Sequence, residues 1–300
     1  SAAEFEKSHH YEINQLIQEE TGMQFATVFV PDQTEETAAL ARTTDLCIAA
    51  HQDDIEIMAY GPISACYEQQ TRHFTGVCAA DGAGSPRCGA FADYTDEQMK
   101  LARIEEQKEA ARIGKYSAQV FLGYPSSVLK DAADLEATES IAQVLLATRP
   151  KIVYTHNFAD KHDTHVAVAL RTLAALRKVR DTYRPEHFYG LEVWRDLDWM
   201  RDQDKICFDT AKNPELAKRL LTVYESQVAG GKRYDLAAIG RRYANATFFE
   251  SHAVDVSTSQ SFGMDMTALI TNDQTPQAFI AEQIAAFAEE VKTRLSHLPA

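Results

Sequence analysis

Residues able to hold a metal ion or move a proton gather in two places. The first is Ala49-Ala50-His51-Gln52-Asp53-Asp54-Ile55-Glu56, which puts an imidazole and two adjacent carboxylates where a short apolar run ends. The second lies well down the chain, at His156-Asn157-Phe158-Ala159-Asp160-Lys161-His162-Asp163-Thr164-His165. Imidazole nitrogen and carboxylate oxygen are ligands for zinc and for several other divalent ions. His162 and His165 stand three apart, so on a helix they project from the same side of one turn. Adjacent aspartates after a strand are often nothing more than helix N-caps. With His51 before them and a second cluster downstream, metal binding is the better reading.

Each cluster needs a scaffold that aims it. Leu46-Cys47-Ile48-Ala49-Ala50 is brief and apolar, as a buried parallel strand should be, and Ile55, Met58, Ala59, Ile63 and Cys66 follow at helical spacing. Around the second cluster, Ile152-Val153-Tyr154 reads as a strand, while Val166, Ala169, Leu170, Leu173 and Leu176 stripe a helix that begins near Asp163. Both clusters therefore occupy strand-to-helix turns. In an open α/β sheet such turns lie at the carboxyl edge, where ligands collect and a new helix presents its positive dipole end. The expected fold is α/β: a Rossmann-like open, mostly parallel sheet flanked by helices, with helical extensions at both ends. Strands are expected near 46–50, 74–79, 118–122, 152–155, 187–194 and 205–208.

Together the clusters resemble the PIG-L/LmbE family of zinc-dependent N-deacetylases, whose first motif reads His-Pro-Asp-Asp-x-Glu and whose second holds two histidines three residues apart. The resemblance runs from about Asp45 to about Glu250 and takes in Asp81-Gly82, Arg103, Glu106-Gln107 and Ala110-Ala111. Both motifs in order, each behind a strand, make a specific signal. Two departures stand out: Gln52 replaces the usual proline, and His162-Asp163-Thr164-His165 replaces the commoner His-Pro-Asp-His.

The resemblance implies an LmbE-like fold and roles for individual residues. His51, Asp54 and His165 would ligate Zn2+, with Fe2+, Mn2+ or Co2+ as other ions such a set accepts. Asp53 would stay off the metal as general base, and His162 would stabilise the oxyanion or act as acid. Glu56 would support the site by hydrogen bonding, and either Asp160 or Asp163 would orient His162. Arg103, on a charged helix over 99–114, and Asp81, in a polar loop after the strand at 74–79, would bind substrate. His156 reads as a polar residue at a strand end and Trp194 as core packing. The implied reaction is removal of an N-acetyl group from an amino sugar or its conjugate.

Composition narrows the partners. A net charge of -14 disfavours broad binding to nucleic acid or anionic membranes, both of which call for a basic surface. The same field disfavours strongly anionic small molecules, so a neutral acetylated sugar is the expected substrate unless local arginines overturn it. No run reaches the ~18 apolar residues of a membrane span. The first residues lack the basic and apolar sections of a secretory signal, and five cysteines without a Cys-x-x-Cys pair read as reduced thiols, so the expected compartment is the cytoplasm.

The chain divides into an N-terminal extension over 1–43, with a short helix marked by Tyr11, Ile13, Leu16 and Ile17, a deacetylase domain over 44–250 and a C-terminal segment over 251–300. Two helices are expected over 214–227 and 236–249. Ile280, Ile284, Phe287, Val291 and Leu295 stripe a final amphipathic helix that packs on the core or on a partner subunit of a homo-oligomer. One rival reaction class fits the ligands. His51-x-Asp53 followed by a distant histidine also satisfies the two-His-one-carboxylate triad of non-haem Fe(II) oxygenases. Those sites usually sit on β-rich barrels, and the second aspartate would then have no task.

Overall fold

The computed structural model describes residues 27–229 and 231–299; the expected N-terminal helix lies outside them. One eight-stranded sheet organises the chain, in the order β1-β4-β3-β2-β5-β6-β8-β7. Its strands are β1 (Thr27–Phe29), β2 (Asp45–Ala49), β3 (Phe74–Ala80), β4 (Ala118–Tyr124), β5 (Ile152–His156), β6 (His187–Leu191), β7 (Lys205–Asp209) and β8 (Gln260–Asp265). The helices are α1 (Glu36–Ala41), α2 (Asp54–Met58), α3 (Tyr60–Cys66), α4 (Asp96–Gly114), α5 (Ser126–Lys130), α6 (Glu136–Thr148), α7 (Asp163–Val179), α8 (Pro214–Thr222), α9 (Glu225–Val228), α10 (Tyr234–Thr247) and α11 (Pro276–Ser296).

Strands β4, β3, β2, β5 and β6 are parallel; β1 closes one edge antiparallel, and β8 and β7 extend the other. From β2 the chain steps to β3 and β4 on one side, then returns to place β5 on β2's other flank and β6 beyond it. The order reverses between β2 and β5. Crossovers leave in opposite directions there, which opens a crevice at the strands' carboxyl ends. The two clusters follow β2 and β5.

Alternation along the strands splits the core into two layers. Leu46, Ile48, Val77, Val120 and Val153 face Ile141, Leu145, Leu173 and Leu176 of α6 and α7. Cys47, Ala49, Cys78, Phe121 and Tyr154 face Ile55, Met58, Ile63, Ala110 and Leu220. All five cysteines are free. No helix among the described residues is long and apolar enough to cross a membrane.

Several elements differ from the sequence reading in instructive ways. The helix after β2 is two short ones that break at Ala59 (φ -108°, ψ 22°). The helix expected over 214–227 breaks after Thr222, and β6 ends at Leu191, before Trp194. Helix α11 carries the expected stripe, yet none of its residues is buried. Phe279 and Ile280 in its first turn pack on the core, whereas Ile284, Val291 and Leu295 are exposed.

Candidate metal centre

The turn after β2 is held in an uncommon shape. Asp53 has φ +91° and ψ -30°, a region that costs most non-glycine residues energy and that aspartate enters more readily than others. Its N–H donates to Gln107 Oε1 at 3.3 Å, and its carbonyl accepts from Ile57 at 3.1 Å. Gln52, in the place of the family's proline, donates through Nε2 to Ala80 O at 3.2 Å and ties the turn to the end of β3. Gly82 abuts this contact with φ +79°, where a Cβ would come within 2.8 Å of Gln52 Oε1.

Three donor atoms converge. His51 Nδ1 lies 3.2 Å from both Asp54 Oδ2 and His165 Nε2, and those two are 3.3 Å apart. Ligands about 2.0–2.1 Å from a tetrahedral ion are separated by about 3.3–3.4 Å, so the triangle has the span of three zinc ligands. The charges agree. Burial raises Asp54's pKa, but His165 and His51 outweigh it and hold the carboxyl well below its usual range. Burial pushes His165 down, and the carboxylates of Asp54 and Asp160 more than reverse this, to about 10. The cluster is thus arranged around positive charge, and a divalent ion would take the place of His165's proton.

Asp53 stands beside the triangle and outside it. Burial raises its pKa to about 6; Arg103 opposes that rise, and Asp54 adds to it. Near pH 7 the carboxylate is mostly ionised and ready to take a proton. Arg103 Nη2 is 3.5 Å from Asp53 Oδ1 and also donates to Gln52 O. Helix α4 is therefore not the solvated surface helix its composition suggests. Its inward face is polar, with Arg103 only 2% exposed and Gln107 fully buried. Asp81 is engaged within its own loop, accepting from Ala83 N at 3.1 Å with Lys100 Nζ at 3.3 Å.

Three imidazoles stack behind the crevice. His165 lies between His156, at 4.0 Å between centroids, and His162, at 4.5 Å. His162 is exposed at the N-terminus of α7, and its ring meets the His51 ring edge to face with 5.0 Å between centroids. Burial and the neighbouring His165 and His51 push its pKa below the ordinary histidine range. Asp160 Oδ2 is 3.5 Å from His165 Nδ1, and Oδ1 accepts the His162 N–H at 3.0 Å. It faces the His165 ring and fixes only the backbone of His162. Asp163 is exposed.

Two features of the site go beyond the sequence reading, which gave His156 only as a strand-end residue and Glu56 as a hydrogen-bonding support without its partners. His156 is fully buried, and its Nε2 accepts the Ala50 N–H at 2.9 Å, which joins the ends of β2 and β5. It also groups with Asp160 and His165 as a second possible set of metal donors. Glu56, also fully buried, accepts from Tyr116 at 2.6 Å, Gln107 at 2.9 Å and Tyr224 at 2.5 Å. Burial raises it to about 7 against those three donors. Replacing Glu56 with alanine leaves buried Tyr116 without an acceptor and takes one acceptor each from Gln107 and Tyr224, which keep Gln119 Oε1 and Gln107 Oε1, and should cost about 2 kcal/mol. That is a fall of roughly 4–8 °C in Tm at this size, checked by thermal unfolding, with Glu56→Gln falling less.

A cavity of about 210 Å³ adjoins the crevice, walled by Trp194 and Tyr234, whose rings meet edge to face at 5.1 Å, and by Ile57, Lys161, Glu192 and Arg242. Trp194 is a wall of this space and not a core residue. Arg242 Nη2 donates to Glu56 O at 2.8 Å and Ile57 O at 3.0 Å, closing the last turn of α2. Burial pushes its pKa down to about 10, which leaves it charged at neutral pH.

Residues 46–176 match the family model described as PIG-L, GlcNAc-PI de-N-acetylase. Over that stretch the chain is similar to the PIG-L family. Solved structures share the fold around it. One is the N,N'-diacetylchitobiose deacetylase from Pyrococcus horikoshii, with a TM-score of 0.60 at 14% identity over 77% of this chain and 86% of that one. A second is the A40926 pseudoaglycone deacetylase, with a TM-score of 0.54 at 17% identity over 75% and 97%. A third is GalB, the 4-carboxy-2-hydroxymuconate hydratase from Pseudomonas putida KT2440, with a TM-score of 0.56 at 17% identity over 75% and 96%. At such identities the likeness is one of fold. That a deacetylase and a hydratase share it means the reaction must be argued from the site.

Proposed function

We propose that this protein is a metal-dependent hydrolase that removes the N-acetyl group from an amino sugar or an amino-sugar conjugate. The observation that carries the reading is the His51–Asp54–His165 triangle with the ionisable Asp53 beside it, at the crevice where the sheet order reverses. Zinc, which suits this donor set, supplies Lewis acidity that polarises a carbonyl and brings the pKa of water to about 7.

The chain's own groups do the rest. His51, Asp54 and His165 hold the ion, and Asp160 fixes the His165 ring from behind. Asp53 accepts the proton that water gives up as its oxygen forms a bond to the amide carbon. A neutral His162 donates an N–H to the carbonyl oxygen as charge grows there. The proton on Asp53 then passes to the amine nitrogen as the C–N bond breaks, giving acetate and a free amine. The Arg103 guanidinium keeps Asp53 aimed through this cycle. An Fe(II) oxygenase built on the same His51–Asp54–His165 triangle, in place of the triad through Asp53 that the sequence allowed, would give the adjacent, separately positioned Asp53 no task.

The test is acetate release from N-acetylated amino sugars by metal-loaded protein. His162→Ala should lower kcat by about 10²–10³ with metal content unchanged, in line with the loss of one oxyanion donor. Unaltered turnover in that variant would remove His162 from the mechanism.

A further inference from the structure

Strand β7 (Lys205–Asp209) is the last strand of the sheet beyond β8, and among the described residues no strand pairs with its outer side. The backbone of Ile206, Cys207 and Phe208 makes no hydrogen bond outside the ladder to β8 among those residues. In an antiparallel strand alternate residues direct N–H and C=O outward, so this edge carries polar groups that a further strand could take. Monomeric proteins commonly blunt such edges with a proline, a central charge or a bulge. Strand β7 has none of these. Its register against β8 is unbroken, its interior reads Ile206-Cys207-Phe208, and its charges stand only at the two ends.

The end charges are opposite, and that decides which partner fits. When a second copy of β7 lies antiparallel against the first with Cys207 facing Cys207, Lys205 of each copy falls opposite Asp209 of the other, and Ile206 falls opposite Phe208. Faces agree as well as register. Ile206 and Phe208 are half-buried on the layer of Tyr154 and Tyr189, whereas Lys205 lies toward the other layer, its Nζ 5.0 Å from the centroid of the Phe262 ring. The strand is its own complement about a two-fold axis at Cys207, as an isologous contact requires.

The surroundings repeat the match. At one end of the strand the exposed Phe248 lines a cavity with Lys205. At the other, Ser257 Oγ donates to Asp209 Oδ1 at 3.0 Å, and Val254 and Val256 just before it are exposed. The same axis brings Phe248 of one copy to the end where Val256 of the other stands. Helix α11, whose outer stripe is also exposed, offers no such complement. Its Lys292 and Arg294 already pair with Glu289 and Glu290 of the same helix.

We propose that the partner for this edge is a second copy of the chain, joined β7 to β7 in antiparallel register about Cys207, so that the two eight-stranded sheets continue into one another across the dimer. Self-association then belongs to the sheet edge and not to the final helix, and it does not depend on the deacetylase reading.

Sedimentation velocity over a concentration series measures the dimer in the metal-loaded protein. Lys205→Glu sets acid against acid at both cross-strand pairs, and Asp209→Lys sets base against base, so each variant alone should raise the dimer Kd by about 10-fold or more. Mixed in equal amounts, the two variants restore acid opposite base at both positions of a heterodimer, and the Kd should return close to the wild-type value. A second readout does not depend on how well the charge variants fold. Residues directly opposite in an antiparallel pair have Cα atoms about 4.5–5.5 Å apart, within the range of a disulfide. Copper phenanthroline should therefore link chains through the exposed Cys207, in Cys88→Ser as in the wild type and not in Cys207→Ser, the other three cysteines being buried. A wild-type monomer throughout the series, a mixture no tighter than either variant, or cross-linking that survives Cys207→Ser would overturn the inference. So would a dimer that Leu295→Glu in α11 dissolves and Lys205→Glu leaves intact.

Discussion

Replacing Asp53 with asparagine should leave metal content near normal and lower N-deacetylation by at least ~100-fold, the usual range for a general base being 10²–10⁴. The substitution is well matched to the position. Asparagine enters left-handed backbone conformations at least as readily as aspartate, so the φ of +91° should not strain the variant. The Gln107 contact uses the backbone N–H of residue 53 and survives. What disappears is the carboxylate that takes water's proton and the partner of Arg103 at 3.5 Å. Arg103 retains its bond to Gln52 O, which limits the structural cost. Retained activity would move the base to another group; loss of metal would move Asp53 onto the ion.

Alanine at His51, Asp54 or His165 should deplete metal and activity together. Apparent binding energies of about 10–16 kcal/mol for four-ligand zinc sites amount to about 2.5–4 kcal/mol per ligand, so each variant should bind roughly 100-fold more weakly or worse. His165→Ala should be the most severe. It removes a ligand and also leaves Asp54 and Asp160 facing one another without the cation that now separates them. Asp160→Ala should weaken binding by a smaller factor, about 10–100-fold, because it orients a ligand without being one. Metal analysis after dialysis, with circular dichroism to confirm folding, checks the series. Full occupancy in all three ligand variants would remove this triangle as the metal site.

The centre of the fold was legible because it rests on local pattern. Short apolar runs bounded by polar turns gave β2 and β5, helical spacing gave α7, and the chemistry at each strand end pointed to a crevice before any tertiary contact was known. The supporting residues come from too many places to read that way. Glu56's partners stand on α4, just before β4 and between α8 and α9, and no spacing connects them. Arg103 looked like one more charge on a charged helix, because the face that α4 buries is polar rather than apolar. Periodicity that follows hydrophobicity cannot find such a face. His156 was legible as a strand end, but its burial depends on β5 lying next to β2. The break at Ala59 is likewise tertiary, since α2 ends where Arg242 from α10 takes its last carbonyls.

The most direct test is to strip the protein of metal, titrate zinc back without oxygen, and follow acetate and free amine from an N-acetylated amino sugar in the same samples. Acetate and amine should appear in equal amounts, with a rate that rises in proportion to zinc and levels off at about one ion per chain, the stoichiometry of a single three-ligand site. Turnover that ignores added metal, that needs oxygen, or that yields a hydrated product still bearing its acyl group would contradict the account.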